Sequence, residues 1–415
     1  SQRAKAVTDE LLMYCPTIQD ERTKSNYIKA VSKYGQHRFR ETLIKDARDK
    51  YFISQTDLDL NQDLLNCQNV TIDLKTLECT PHKADNLLSK LCNVEYVPGI
   101  RSELWENFIE QIMQGDREKI DYLQKILGYA LTAETSLECC FILYGSTTRN
   151  GKSTLTETIM YMLGDYALSM PPETLAQRQS KDTRQASGDI ARLKGCRFLN
   201  ASEPSKRMVF DAALLKTLLG RDSITARHLY EREFEFIPNF KLFINTNYLP
   251  LIQDDSLFTS ERINVITFDR HFNPDEQDRT LKDKLKTPEN LSGILNWCLD
   301  GLKKYRQEGA MPPAAVREAT ADYQKSSDKI ANFISECFTH SEKNCSAKDA
   351  YSVYQYWCSE NGYGVENKRN FFEELKNKKI YAKTGTINGK TVYNVIIGHE
   401  IIDNNEYYNE LHRLN

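Results

Sequence analysis

Residues 138–163 constrain this chain more than any other stretch. Glu138-Cys-Cys-Phe-Ile-Leu-Tyr144 is a short apolar run that ends at a glycine, residues 145–151 are polar, and Lys152-Ser-Thr-Leu-Thr-Glu-Thr-Ile-Met-Tyr-Met-Leu163 has helical periodicity. Buried strand, glycine-bounded loop and helix in that order predict an α/β layer built on a mostly parallel sheet. The loop reads Gly145-Ser146-Thr147-Thr148-Arg149-Asn150-Gly151-Lys152-Ser153. Its backbone N–H groups and the helix N-terminus suit phosphates, Lys152 suits the β and γ oxygens of a nucleotide, and the Ser153 hydroxyl suits Mg2+. One extra residue separates the glycines relative to G-x-x-x-x-G-K-[ST], with Ser146 where the first glycine is expected. A turn that binds nothing is the alternative.

A nucleotide loop needs partners at neighbouring strand ends. Phe198-Leu-Asn-Ala-Ser-Glu203 ends in a carboxylate, so Glu203 is the candidate base and metal-side acid, with Ser202 where a second acid could stand. Leu242-Phe-Ile-Asn-Thr-Asn247 ends in an amide suited to orient an attacking water, and Asn247 is preferred to Asn245. Arg262 precedes the apolar run 263–268, a place from which a guanidinium could enter a neighbouring subunit's site as an arginine finger. The plain readings are a solvated Glu203 before Pro204 and turn chemistry at Asn247.

With 415 residues, two to four domains are expected. At 40% hydrophobic and 27% charged the composition supports packed cores, and no apolar run approaches the length of a membrane helix. The 11 cysteines lack zinc or disulfide-framework spacing, which predicts reduced, buried thiols in a cytoplasmic compartment. A net charge of -3 leaves nucleic-acid binding to local patches. Pattern changes divide the chain into an N-terminal α+β domain (1–83), a helical collar or linker (84–135), the α/β core (136–311) and a C-terminal domain (312–415) beginning at Pro312-Pro313. In that last part three amphipathic helices precede two strand candidates around Asn388-Gly389, the pattern of a winged helix.

These elements come in a recognisable order. Asn150-Gly-Lys-Ser-Thr154, Ser202-Glu-Pro204, Lys216-Thr-Leu-Leu-Gly-Arg-Asp-Ser-Ile-Thr-Ala-Arg227, Thr246-Asn-Tyr-Leu-Pro250 and Arg262 resemble the superfamily 3 helicases, specifically the phage/plasmid primase-helicase family related to poxvirus primase-helicases. Leu64-Leu-Asn-Cys-Gln-Asn69 and Asp73-Leu74 resemble the domain that precedes the helicase in that family. The resemblance implies an AAA+-like P-loop NTPase core that binds ATP and Mg2+ and translocates on single-stranded DNA as a homo-oligomeric ring, expected to be a hexamer. A primase domain often lies upstream in such proteins, and none is readable here. Nucleotide contacts would come from Gly145, Thr148, Asn150, Gly151, Lys152, Ser153 and Thr154, metal contacts from Ser153 and Glu203, and catalysis from Lys152, Glu203, Asn247 and Arg262. Residues 224–236 would form a channel hairpin with Arg227, His228 and Arg232 facing DNA, although interleaved Glu231, Glu233 and Glu235 also fit ordinary cross-strand pairs.

Lys368, Arg369 and Lys383 offer a second DNA face on the third C-terminal helix and the strands after it, with protein interaction as the alternative. The expectation is a replicative DNA helicase of a phage, plasmid or mobile element. It would work in the cytoplasm (of a bacterial host if phage-encoded), beside the polymerase or primase of the same element, with no membrane partner. The alternatives are an initiator or loader that binds duplex origin DNA without unwinding it, and a small-molecule phosphotransferase.

Overall fold

The computed structural model describes residues 2–50, 53–54, 57–177, 186–206, 208–361, 363–387 and 389–402. The chain forms two compact units, one of residues 1–60 with 83–89 and the other of residues 61–82 with 90–415. In the first, helices α1 (Gln2–Met13), α2 (Glu21–Tyr34) and α3 (His37–Lys50) follow one another. Asp20 caps α2 by accepting from Thr23 N at 2.7 Å, which satisfies one of the four free N–H groups at a helix start. The Tyr27 hydroxyl donates to Leu11 O at 3.1 Å and ties α2 to α1.

The second unit opens with the antiparallel strands β1 (Leu64–Asn66), β2 (Thr71–Asp73) and β3 (Cys79–Thr80). Helices α4 (Glu103–Ile112) and α5 (Arg117–Ala130) follow, capped by Ser102 and Asp116. Trp105, Phe108, Ile109 and Ile112 recur at helical spacing and form the buried stripe of α4.

Next in order come β4 (Cys140–Tyr144), α6 (Lys152–Leu163), β5 (Ala167–Met170), α7 (Ala186–Ala191), β6 (Phe198–Ser202), α8 (Ala212–Leu219), β7 (Ile224–Ala226), β8 (Phe234–Phe236), β9 (Lys241–Thr246), α9 (Ser256–Thr259) and β10 (Ile263–Thr267). Five of these strands form one parallel sheet in the order β10-β4-β9-β6-β5, so the mixed α/β architecture with a parallel sheet is as expected. Strand alternation feeds two cores, as period-2 geometry requires. Phe141, Leu143, Phe198, Phe243 and Ile266 face a cluster that includes α4, α5 and α6, whereas Cys140, Ile142, Leu199, Leu242, Ile244 and Val265 face one with α8 and α9. Phe243 in the centre stacks on Phe198 at 4.4 Å and lies 5.0 Å from Phe141.

After the sheet come α10 (Leu281–Leu285), α11 (Pro288–Glu308) and α12 (Ala314–Ser327). α11 lies against α5 so closely that a Cβ on Gly128 would sit 2.2 Å from Leu302 N. α12 packs on β10, where Thr320 Oγ1 accepts from Val265 N at 3.0 Å. The remaining elements are α13 (Lys329–Cys337), β11 (Phe338–His340), β12 (Cys345–Ser346), α14 (Ala347–Asn361), α15 (Lys368–Asn377), β13 (Ala382–Ile387), β14 (Lys390–Ile396) and β15 (His399–Ile401). β12, β14 and β13 form one small antiparallel sheet, and β11 pairs with β15. Phe333 centres the third core, with the rings of Tyr354, Phe338, Trp357 and Phe371 at 5.2–5.8 Å. Of the expected Asn388-Gly389 turn, Asn388 lies outside the described residues and Gly389 has φ 75°.

Candidate functional site

In a parallel sheet ligands gather at the carboxyl ends of the strands, where the crossovers depart. That edge here carries the loop 145–151 after β4, Glu203 after β6 and Asn247 after β9. Gly151 starts α6 at φ 88°, a backbone region that a side chain disfavours, and its Cβ would also strike Ile112 at 2.4 Å. At Gly145 a Cβ would meet Asn150 Nδ2 at 2.2 Å and Phe268 O at 2.8 Å. Both glycines are therefore required by close packing around the loop.

Lys152 is the centre of this edge. It is only 4% exposed, and its Nζ donates to Asn150 Oδ1 at 3.0 Å and to Asn247 Oδ1 at 2.8 Å. Asn150 is itself buried and donates through Nδ2 to Thr147 O at 2.6 Å. Burial pushes the Lys152 ammonium down to about 8, against the opposing pull of the Glu203 carboxylate. No carboxylate lies within ion-pair distance of Lys152 among the described residues. A buried cation held only by neutral amides lacks its counter-charge, and a phosphate oxygen would supply it.

Glu203 is exposed and left-handed, with φ 58°, and its N–H donates to Asn245 O at 2.9 Å. Beneath it lies a polar layer in which Asn245 and Ser202, already set beside the preferred strand-end residues, are joined by Thr156 and Asn200, which the motifs do not include. Asn245 Nδ2 donates to Thr156 Oγ1 of α6 at 2.8 Å, and Asn200 Nδ2 donates to Ser202 Oγ at 2.8 Å. Polar residues inside apolar strands were the available signal for this layer. Ser153 is exposed and Thr154 half-buried on the first turn of α6, and Thr148 is exposed at the loop apex. Among the described residues no three His, Cys, Asp or Glu side chains form a metal cluster. The oxygen donors Ser153 and Glu203 suit Mg2+, which binds through one or two carboxylates plus substrate phosphates.

Arg262 lies elsewhere. It precedes β10, which pairs in parallel with β4 from Ile263↔Cys140, so it sits at the opposite edge, about 16 Å of strand away from the loop. Its Nη2 donates to Glu138 Oε2 at 2.9 Å, while Nη1 is buried with no partner among the described residues. Arg221 Nε approaches the other oxygen of Glu138 at 3.4 Å.

β7 and β8 form an antiparallel hairpin whose connecting residues are mostly exposed, Tyr230 at 96%. Arg227 lies 4.0 Å from Glu233, the His228 ring stacks 5.6 Å from Phe234, and Arg232 is exposed. In the C-terminal region Lys368, Arg369 and Lys383 are all exposed, with Arg369 Nε bonded to Glu373 at 3.3 Å. No helix among the described residues is long and apolar enough to cross a membrane.

Family models match three stretches of the chain: "D5 N terminal like" over residues 2–114, a family of unknown function over 143–262, and "Poxvirus D5 protein-like" over 325–406. The first and last of these stretches thus match domain models named for the poxvirus D5 protein. Among the relatives of this chain, the "Putative helicase L207/L206" of Acanthamoeba polyphaga mimivirus is 28% identical over 82% of this chain and 38% of its own length. The "Putative helicase 022R" of Frog virus 3 is 32% identical over 53% of this chain and 24% of its own. The "Putative primase C962R" of African swine fever virus (isolate Warthog) is 24% identical over 86% of this chain and 38% of its own. The chain thus spans well under half the length of these relatives. The apo structure of the NrS-1 C-terminal region aligns with 12% identity and a TM-score of 0.46 over 74% of this chain and 78% of its own.

Proposed function

We propose that this chain is the ATP-driven motor of a DNA helicase serving the replication of a virus or other mobile element, acting as a ring on single-stranded DNA. The observation that carries the reading is Lys152, a buried cation on two amide oxygens between the ends of two parallel strands. In this reading Lys152 binds the β and γ phosphate oxygens, with the loop 145–151 and Thr154 lining the rest of the phosphate path. Glu203 accepts the proton of the attacking water, and the Asn247 amide orients that water or the γ-phosphate. Bound Mg2+, held by Ser153 and Glu203, would neutralise charge on the transferred phosphoryl group. Arg262 acts on the nucleotide of the next subunit, a role that its position away from the loop of its own subunit favours.

The same reading makes residues 136–311 an AAA+-like core and assigns Arg227, His228 and Arg232 to the channel. The order of α13, β12, α14, α15 and the β13–β14 hairpin supports a winged helix, with Lys368, Arg369 and Lys383 on its DNA face. The test is ATP hydrolysis with and without single-stranded DNA, for wild type, Lys152→Ala, Arg262→Ala and an equal mixture of the two variants. DNA stimulation, two inactive variants and recovery in the mixture are expected, together with strand displacement by the wild type. Duplex-specific binding with no displacement would shift the reading to an initiator or loader. Phosphoryl transfer to a metabolite would shift it to a phosphotransferase.

A further inference from the structure

We propose that residues 267–277, which return over the loop after β10, are a strap that fixes the phosphate loop in its binding shape, with His271 as its positioning residue. The inference rests on the reading of residues 145–151 as a nucleotide-phosphate loop. Two bonds cross from strap to loop: His271 Nδ1 donates to Thr148 O at 2.8 Å, and Phe272 N donates to Arg149 O at 2.9 Å. In a trans peptide the C=O and N–H point in opposite directions. Drawing the Thr148 and Arg149 carbonyls toward the strap therefore turns the N–H groups of Arg149 and Asn150 away from it. Neither N–H has a hydrogen-bond partner among the described residues. Successive N–H groups turned to one side form an anion-binding nest, and Arg149 has the left-handed φ of 57° that such a nest uses.

The strap is stiff without any ligand. Phe268 N donates to Tyr144 O at 2.7 Å, which prolongs the β4–β10 pairing up to the loop. At its root the buried Lys119 places Nζ 3.4 Å from Thr267 O and 3.6 Å from Asp269 Oδ2. Further along, Asn273 N donates to Glu276 Oε2 at 2.9 Å, Arg270 pairs with Glu276, and Gln277 Nε2 donates to Phe272 O at 2.7 Å. The strap thus reaches the loop already shaped, so the loop is ordered before phosphate arrives and the ordering cost is removed from binding.

His271 is exposed, so its replacement leaves the cores intact. Asn keeps a donor close to the position of Nδ1, whereas Ala removes it. For His271→Ala in the 415-residue chain, one lost hydrogen bond predicts that KM for ATP rises about three- to tenfold while kcat stays within about twofold. His271→Asn should restore most of that loss. Amide hydrogen exchange of Phe272, whose N–H bonds Arg149 O across the strap–loop contact, measured without nucleotide, should be faster in His271→Ala and slow again in His271→Asn. Unchanged KM and unchanged exchange in His271→Ala, a fall in kcat with KM unaltered, or an Asn variant no better than Ala would each overturn the proposal. If the wild type neither binds nor hydrolyses ATP, the nucleotide reading fails, and the exchange experiment alone decides the strap: exchange that follows the donor supports it and unchanged exchange sinks it.

Discussion

Lys152 Nζ stands 2.8 Å from Oδ1 of Asn247, a residue 95 positions further along the chain at the end of a different strand. The bond makes the two strand ends one electrostatic unit: an anion that engages the ammonium competes with the Asn247 amide and frees it. Asn247→Ala leaves Asn150 to hold the lysine, so phosphate binding should change little. Lost orientation of the reacting groups should reduce kcat on the order of a hundredfold. Asn247→Asp should act differently, because a carboxylate beside Lys152 occupies the cation that phosphate needs. Its KM for ATP should rise markedly, and steady-state kinetics on the two variants separate these outcomes.

The Lys152 ammonium, held down to about 8 by burial, also predicts a pH profile. The charged form binds phosphate, so ATP affinity should fall as pH rises through about 8, and Lys152→Arg should flatten that fall because arginine keeps its charge. For folding the sign is opposite. Between about 8 and the ordinary lysine value the unfolded chain holds more protons than the folded one, so this group adds stability with rising pH across that window. Binding of a fluorescent ATP analogue and denaturant titrations across that range check both halves.

The strand ends that form this edge were readable because apolar runs stop at Gly145, Glu203 and Asn247, where a break in hydropathy marks where a buried strand ends. The parallel sheet followed from the same runs separated by helical segments. What could not be read depends on long-range register. Nothing local distinguishes Arg197 or Lys241 from ordinary strand-start cations, yet each is buried. Arg197 Nη1 donates to Leu131 O at 2.7 Å, and Lys241 Nζ donates to Glu134 O at 3.0 Å. The bond from His271 to Thr148 spans 123 positions, and β12 and β15 have two and three residues, too few for periodicity to register.

Glu138 holds Arg262, with Arg221 on its other oxygen, and the cluster is part-exposed. Removing the carboxylate should therefore cost little stability, about 1 kcal/mol or less. Its effect should appear in assembly-dependent turnover, because Arg262 loses the contact that aims it. Glu138→Gln should lower the DNA-stimulated ATPase while leaving nucleotide affinity of the isolated subunit unchanged. Equal mixtures of Glu138→Gln with Lys152→Ala should recover less activity than wild type mixed with Lys152→Ala. A Glu138→Gln protein with full stimulated activity would remove any positioning role for this carboxylate.

Packing of α5 against α11 offers a stability test independent of chemistry. A methyl on Gly128 would overlap Leu302 N at 2.2 Å, and one on Gly301 would overlap Gln124 O at 2.0 Å, both backbone atoms that cannot rotate aside. Gly128→Ala gains helix propensity but forces the helices apart, and overpacking of this kind costs about 1–3 kcal/mol. A lowered Tm is expected for either variant. Glycine chosen for flexibility alone would give the reverse, a small gain in Tm.

The β7–β8 hairpin yields a prediction about salt. Its connecting residues carry Arg227, His228 and Arg232 but also Glu231 and Glu233, with Glu235 on β8 itself, so its net field is weak. If Arg227 and Arg232 each neutralise one DNA phosphate, each contributes about −0.7 to the log–log slope of single-strand affinity against salt. Arg227→Ala should therefore flatten that slope by about 0.7, and the double variant with Arg232→Ala by about twice as much. Arg227 is 4.0 Å from Glu233, so DNA must draw the guanidinium away from a carboxylate. Glu233→Gln removes that competition and should tighten single-strand binding at low salt without altering the slope, because the number of phosphates contacted is the same. A slope unmoved by either arginine variant would place the DNA path elsewhere, and the exposed Lys368, Arg369 and Lys383 would be the next residues to vary.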